Sequence, residues 1–276
     1  MKIDFDDRKL LHSSELKLVE SFSRFCDLNN LEYFLMGGTF LGAVRHQGFI
    51  PWDDDIDVGM PRADYEKMCS LIARNDNKID SFPFKTFKNS DTSEYVARLE
   101  NPKTRIIDRS AVDAEERSSW MDIFALDGMP NNNFARKVHS FNLLRLRLML
   151  KYSEFNKVSV NYTERSFIEK SLIKVGKIIQ PEKWLNTRKC LNKLDQALQK
   201  YPYESSEYVV NFMGAYKLRE MFPKRLYDDT RDYTFENLSL RGARDYDVIL
   251  SQLYGSNYME PPSEQMKNKH FTEVVR

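Results

Sequence analysis

The chain has 276 residues, 41% hydrophobic and 30% charged, with a net charge of +1; this length suits one large domain or two small ones and the composition carries no disorder signature. Its three cysteines, Cys26, Cys69 and Cys190, lie far apart without C-x-x-C spacing, which argues against a disulfide framework or a cysteine-based zinc site and favours a reducing compartment. The N-terminus is acidic and lacks the apolar segment of a signal peptide, and no run of roughly 18 apolar residues could cross a membrane, so a cytoplasmic protein is expected.

Taken in chain order, residues 6–28 place Leu11, Leu18, Phe22 and Phe25 near helical spacing, and Asn29-Asn30 ends the run. Tyr33–Met36 reads as a short strand that runs into Gly37-Gly38 and then a helix from Thr39 to about His46. Residues 56–60 read as a second strand, and Pro61 suits the first turn of a helix with Tyr65, Met68, Cys69 and Ile72 on one face. Between 80 and 125, turn signals alternate with short strand-like runs, among them Tyr95–Ala97 and Met121–Phe124. From Phe134 to about Lys200 the pattern is helical, and the remainder mixes helices with proline-rich turns.

The expected fold is therefore α/β (α+β), a strand-rich front of residues 1–133 followed by a helical region, 134–276, packed on it. Charge divides along a similar line. Residues 134–200 hold 15 Lys and Arg against 5 Asp and Glu, so the rest of this near-neutral chain is acidic.

The chemistry concentrates between Gly37 and Asp57. A strand that turns through two glycines into a helix exposes backbone N–H groups at a positive helix end, which suits a phosphate, and glycine permits close approach. Gly37, Gly38 and Thr39 are thus candidate phosphate ligands, Arg45 and His46 candidate donors a turn or two on, and Trp52 a further candidate beside them. In Trp52-Asp-Asp-Asp-Ile-Asp57, residues 53, 55 and 57 would share one side of an extended segment while Ile56 and Val58 face the other. Such carboxylates converge on one Mg²⁺ or on two, and without a cation each raises the cost of ionising the next. An acidic surface turn is the bland alternative. An EF-hand calcium loop is excluded, because its sixth position is Val58 where glycine is required and its twelfth is Asp64 where glutamate is required.

A third metal-binding carboxylate should come from a neighbouring strand. Asp122, flanked by apolar residues, is the candidate; its structural alternative is pairing with a local arginine such as Arg117, and Asp127 before Gly128 reads as a turn residue.

Gly37-Gly38-Thr39, Trp52–Asp57 and Met121-Asp-Ile-Phe-Ala-Leu-Asp-Gly-Met-Pro130 together resemble the LicD family of phosphotransferases, as does Asp245-Tyr-Asp…Leu253-Tyr-Gly-Ser-Asn-Tyr-Met-Glu-Pro-Pro262. The resemblance runs from about Leu31 to His270 and is weakest between 134 and 225. Ala125 stands where the family often has proline, and Glu264–Lys267 where a basic pair is common, while His270 matches a family histidine.

The resemblance implies a nucleotidyltransferase-like mixed sheet with flanking helices. It implies transfer of a phosphorylated small alcohol from a CDP-activated donor to a glycan hydroxyl, with release of CMP. Phosphocholine is the leading cargo and ribitol or glycerol phosphate the others; acceptors are teichoic acids, lipopolysaccharide, capsule or protein-bound glycans, some of them lipid-linked. Mg²⁺, or Mn²⁺, would sit on Asp55, Asp57 and Asp122 with help from Asp53, and either Asp122 or Asp53 would take the proton from the attacking hydroxyl. His270 and Tyr254 are candidate contacts to acceptor or donor, and tyrosines and phenylalanines of 201–258 could box a quaternary ammonium.

The basic helices of 134–179 suggest peripheral contact with anionic membrane on the inner face of the cell membrane, against the plainer reading of a solvated basic face. Nucleic acid is not an expected partner, because the acidic half would repel phosphate backbones. Two rivals use the same residues: a nucleotidyltransferase that releases pyrophosphate from an NTP, and a non-catalytic metal- or glycan-binding module.

Overall fold

In the computed structural model, residues 5–108, 116–155, 180–263 and 272–275 are described. Helix α1 (Phe5–Leu28) buries Leu11, Leu18, Val19, Phe22 and Cys26, a stripe at three- and four-residue steps. Strand β1 (Phe34–Leu35) leads directly into α2 (Gly37–His46), and β2 (Asp57–Pro61) into α3 (Arg62–Ala73). Pro61 closes β2 and stands at the N-cap of α3 rather than within its first turn. Two short strands, β3 (Lys78–Ile79) and β4 (Phe82–Lys85), precede the long pair β5 (Ala97–Asp108) and β6 (Glu116–Met129).

One mixed sheet runs in the order β1-β2-β6-β5-β4-β3. β1 is antiparallel to β2, and β2 is parallel to β6 with Asp57 opposite Asp122 and Val58 opposite Ile123. The crossover carrying α3 makes that parallel pairing possible. β2 is buried from Val58 to Pro61, and Met121, Ile123 and Leu126 of β6 are solvent-free. Such covered strands read as continuous apolar runs. The short strand-like runs expected before residue 125 are thus two strands of 12 and 14 residues. Asp127 belongs to β6 instead of a turn: it is 2% exposed and bound by Arg62 through two hydrogen bonds of 2.7 and 2.8 Å.

Beyond β6, Asn132 caps α4 (Asn133–Ser153) by accepting from the backbone N–H groups of Phe134 and Ala135, an interaction worth about 1 kcal/mol. α4 and α5 (Thr187–Leu198) enclose a second core of Leu143, Leu146, Leu150, Leu191 and Leu194. The last third of the chain is not purely helical. β7 (Tyr208–Val210) pairs with the end of β6, and β8 (Met221–Pro223) with β7. After a single turn, α6 (Arg225–Asp228), the hairpin β9 (Thr230–Phe235) and β10 (Leu238–Ala243) sets Tyr233 edge-on to Phe40 of α2. α7 (Tyr246–Tyr254) follows, and β11 (Thr272–Val275) pairs with β5.

Candidate active site

The site lies where β1–α2, the segment before β2 and the end of α7 meet. Gly37 has φ +52°, a left-handed value that favours glycine, and a Cβ on Gly38 would stand 2.5 Å from Asp53 Oδ2. The two glycines therefore let α2 begin directly against carboxylates. Thr39 is buried and turned inward; its hydroxyl accepts the Asp57 N–H at 2.8 Å, so it fixes the start of β2.

A cavity of about 660 Å³ opens here, with Gly37, Gly38, Asp53, Asp55 and Asp57 on its acidic side. Aromatic residues from four parts of the chain line the same cavity: Trp52, Phe124, Tyr216, and Tyr254 with Tyr258. Of the aromatic residues of 201–258, these tyrosines reach the cavity, whereas Phe212, Phe222 and Phe235 are buried in the cores. Tyr216 and Tyr254 meet edge-to-face at 5.8 Å.

Arg45 also lines the cavity, but its guanidinium donates to the Tyr258 carbonyl at 2.5 Å and lies 5.8 Å from the Trp52 ring. It thereby ties the lining segment Tyr258–Glu260 to α2. His46 stands edge-on to Trp52 from outside the lining. His270 lies outside the described residues.

The aspartates are arranged differently from a simple i, i+2 strand. β2 starts only at Asp57, and the preceding turn gathers one oxygen each from Asp53, Asp54 and Asp55 within 4.8 Å of one another. Asp122, side by side with Asp57 in the sheet, does not line the cavity; Arg98 Nε donates to it at 2.9 Å. The arginine beside Asp122 is thus Arg98, which also stacks 4.4 Å over Trp120 and pairs with Glu94, while Arg117 pairs with Glu94.

Electrostatics follow from this crowding. Burial, then the charge of Asp54, pushes Asp53 up to about 6. Burial and then Asp55, Asp122 and Asp53 hold Asp57 well above the usual carboxylate range. Asp122 is raised by burial in spite of Arg98.

Two acidic residues outside the sequence-derived set belong to this environment. Glu15 of α1 is 1% exposed, its Oε2 has no hydrogen-bond partner among the described residues, and burial followed by Asp55, Asp54, Asp53 and Asp57 raises its pKa strongly. It was legible in principle, because a glutamate between Leu11 and Leu18 falls on the apolar stripe. Glu220 lines the cavity, accepts from Tyr216 N–H and the Asn211 amide, and is pushed by burial up to about 7. Nothing in the local sequence marks it; pairing of β7 with β6 and β8 brings it there.

An all-oxygen donor set in a half-buried pocket, with a buried carboxylate oxygen left unpartnered beside it, fits a hard divalent cation such as Mg²⁺ or Mn²⁺. A helix beginning at paired glycines, facing aspartates on and before a strand of a mixed sheet, is the α+β arrangement expected from the sequence.

Comparison with known proteins agrees. Residues 30–141 match the family described as LicD/FKTN/FKRP, nucleotidyltransferase domain. The chain is 28% identical over 266 residues to the lipopolysaccharide cholinephosphotransferase LicD of Haemophilus influenzae, covering 94% of both chains. Short stretches of 36 residues are 58% identical to uncharacterized proteins of Rickettsia prowazekii and Rickettsia typhi, covering 13% of this chain and 14% and 12% of theirs.

Proposed function

We propose that the protein transfers phosphocholine from a CDP-linked donor to a hydroxyl of a cell-surface glycan and releases CMP. The observation that carries this reading is the union, in one cavity, of a glycine-flanked aspartate cluster and five aromatic residues, Trp52, Phe124, Tyr216, Tyr254 and Tyr258. The first suits a pyrophosphate with its cation; the second suits a quaternary ammonium, which aromatic faces attract by about 0.5–2 kcal/mol each. Similarity to a cholinephosphotransferase over 94% of the chain supports the same cargo.

In this reading Asp55, Asp57 and Asp122 hold Mg²⁺ or Mn²⁺, aided by Asp53. The cation would neutralise the pyrophosphate and the charge developing on CMP. Gly37 and Gly38 let the phosphates approach the start of α2. Asp53, which lines the cavity and is held near 6, is the favoured proton acceptor for the acceptor hydroxyl, whereas Asp122 is hydrogen-bonded to Arg98. That hydroxyl oxygen bonds to the β-phosphorus as the bond to the CMP oxygen breaks, and its proton passes to the Asp53 carboxylate. Residues 1–133 would supply the chemistry and 134–276 most of the wall that selects the substrate. Use of a CDP-linked donor would place the reaction on the cytoplasmic side.

CMP release from CDP-choline, CDP-ribitol and CDP-glycerol, with Mg²⁺ or EDTA and with lipid-linked glycan as acceptor, tests the reading. CMP from CDP-choline, abolished by EDTA, is the expected result. Pyrophosphate from CTP or ATP with no CMP from any donor would instead indicate a nucleotidyltransferase.

A further inference from the structure

Helix α4 turns two apolar faces in opposite directions. His139, Leu143, Leu146, Leu150 and Ser153 are buried against α5 and the second core. Phe134, Val138, Phe141, Leu144 and Leu148 are exposed, Phe134 by 77% and Phe141 by 71%. At 100° per residue these five fall within an arc of about 120° opposite the buried stripe. A continuous row of large exposed side chains over four turns is more than the scattered apolar residues of an ordinary surface.

Charge on the same helix identifies what the row would meet. α4 carries Arg136, Lys137, Arg145, Arg147 and Lys151 and no acidic residue. Lys137, Arg145 and Lys151 are exposed on or beside the apolar arc. Trp184, at the turn Pro181–Lys183 that packs against α4, is 82% exposed. Phenylalanine and leucine flanked by lysine and arginine, with tryptophan at the margin, is the composition of a helix lying in the headgroup layer of an anionic bilayer.

We propose that the outer face of α4, with Trp184, docks the protein on an anionic lipid bilayer. The opposite side of the helix makes this placement useful. Arg147 donates to the carbonyls of Phe212 and Gly214, and Gly214 belongs to the cavity wall that ends in Tyr216 and Glu220. α4 therefore sits between the bilayer and the substrate wall, and seating it on a membrane holds the cavity at a fixed distance from a lipid-anchored acceptor. The proposal concerns a surface and stands whether or not phosphocholine is the cargo.

Flotation of the full chain with vesicles of phosphatidylcholine alone, or with about one-third phosphatidylglycerol, tests it. Binding is expected to the anionic vesicles, to weaken with salt, and to blue-shift a Trp184 emission that Trp184→Phe removes. Phe134→Asp with Phe141→Asp should reduce partitioning at least tenfold, and Lys137→Glu with Arg145→Glu should do so only on anionic vesicles. All four positions are exposed, so unchanged melting temperatures will show that these variants fold. Binding unaffected by both pairs overturns the proposal. So does no binding by a dimeric protein that the Phe134 and Phe141 pair dissociates, which would make the face an interface between copies. No binding by a monomer overturns it too.

Discussion

Replacing Asp53 with asparagine should stabilise the metal-free protein while destroying its chemistry. Burial and the neighbouring Asp54 push Asp53 to about 6 from an ordinary 3.8. The folded state thus holds the proton more tightly than the unfolded chain. The stability that goes with this is full below about pH 4, is lost as pH rises toward 6, and is gone above it. The gap corresponds to about 3 kcal/mol. The shift stands net of the Asp54 backbone N–H and the Asp55 side chain, which partly support the ionised form.

Asparagine mimics the protonated form at every pH. Urea denaturation in EDTA should therefore find Asp53→Asn more stable than wild type by about 1–3 kcal/mol near pH 8, with little difference near pH 4. Mn²⁺ should reverse the order near pH 8, because only the wild type offers it the extra charge. A variant no more stable than wild type near pH 8, or equally displaced at both pH values, would refute the argument that uncompensated carboxylate charge strains this site.

Arg98→Met leaves Asp122 buried without its partner and should cost about 3–5 kcal/mol in EDTA by urea titration, part of it restored by Mg²⁺. Glu15→Gln removes a carboxyl group held far above its usual range. It should raise the melting temperature in EDTA at neutral pH and reduce the further rise produced by Mn²⁺; an equal rise in both proteins would separate Glu15 from the cation. Tyr254→Ala, and likewise Trp52→Ala, should raise KM for CDP-choline about 5–30-fold, equivalent to ~1–2 kcal/mol. Turnover of CDP-glycerol, which lacks a cationic head, should change much less; equal losses on both donors would deny the rings a role in recognising the ammonium.

Much of the front of the fold was legible because local chemistry there agrees with tertiary need. The stripe Leu11–Leu18–Phe22 gave α1, and the glycines at 37 and 38 gave the strand-to-helix turn at its observed place. Asp122 was rightly expected on a strand neighbouring Asp57. Its partner Arg98 was not, since that contact depends on the β5–β6 register, which one sequence does not display. Thr39 is a candidate phosphate ligand with Gly37 and Gly38; that its hydroxyl also accepts the Asp57 N–H depends on a contact across the fold that the sequence does not display. After residue 200, β7 and β8 are three residues long and are held by pairing of β7 with β6 and of β8 with β7, so they leave too little periodic pattern to be recognised. The cavity wall formed by Tyr216 and Glu220 was hidden for the same reason.

β6 carries Asp122 and Asp127 five positions apart, an odd interval that sends the two side chains to opposite faces of the sheet. One reaches toward the site beside Asp57, while the other anchors Arg62 of α3 in a buried network with Tyr95 and Asp195 of α5. The strand thus works as a two-sided ruler. A single residue inserted between the two aspartates would turn one of them around, so that reaction centre and scaffold could no longer both be correct. Length changes in this protein should accordingly be tolerated at hairpin tips, and never within Asp122–Asp127.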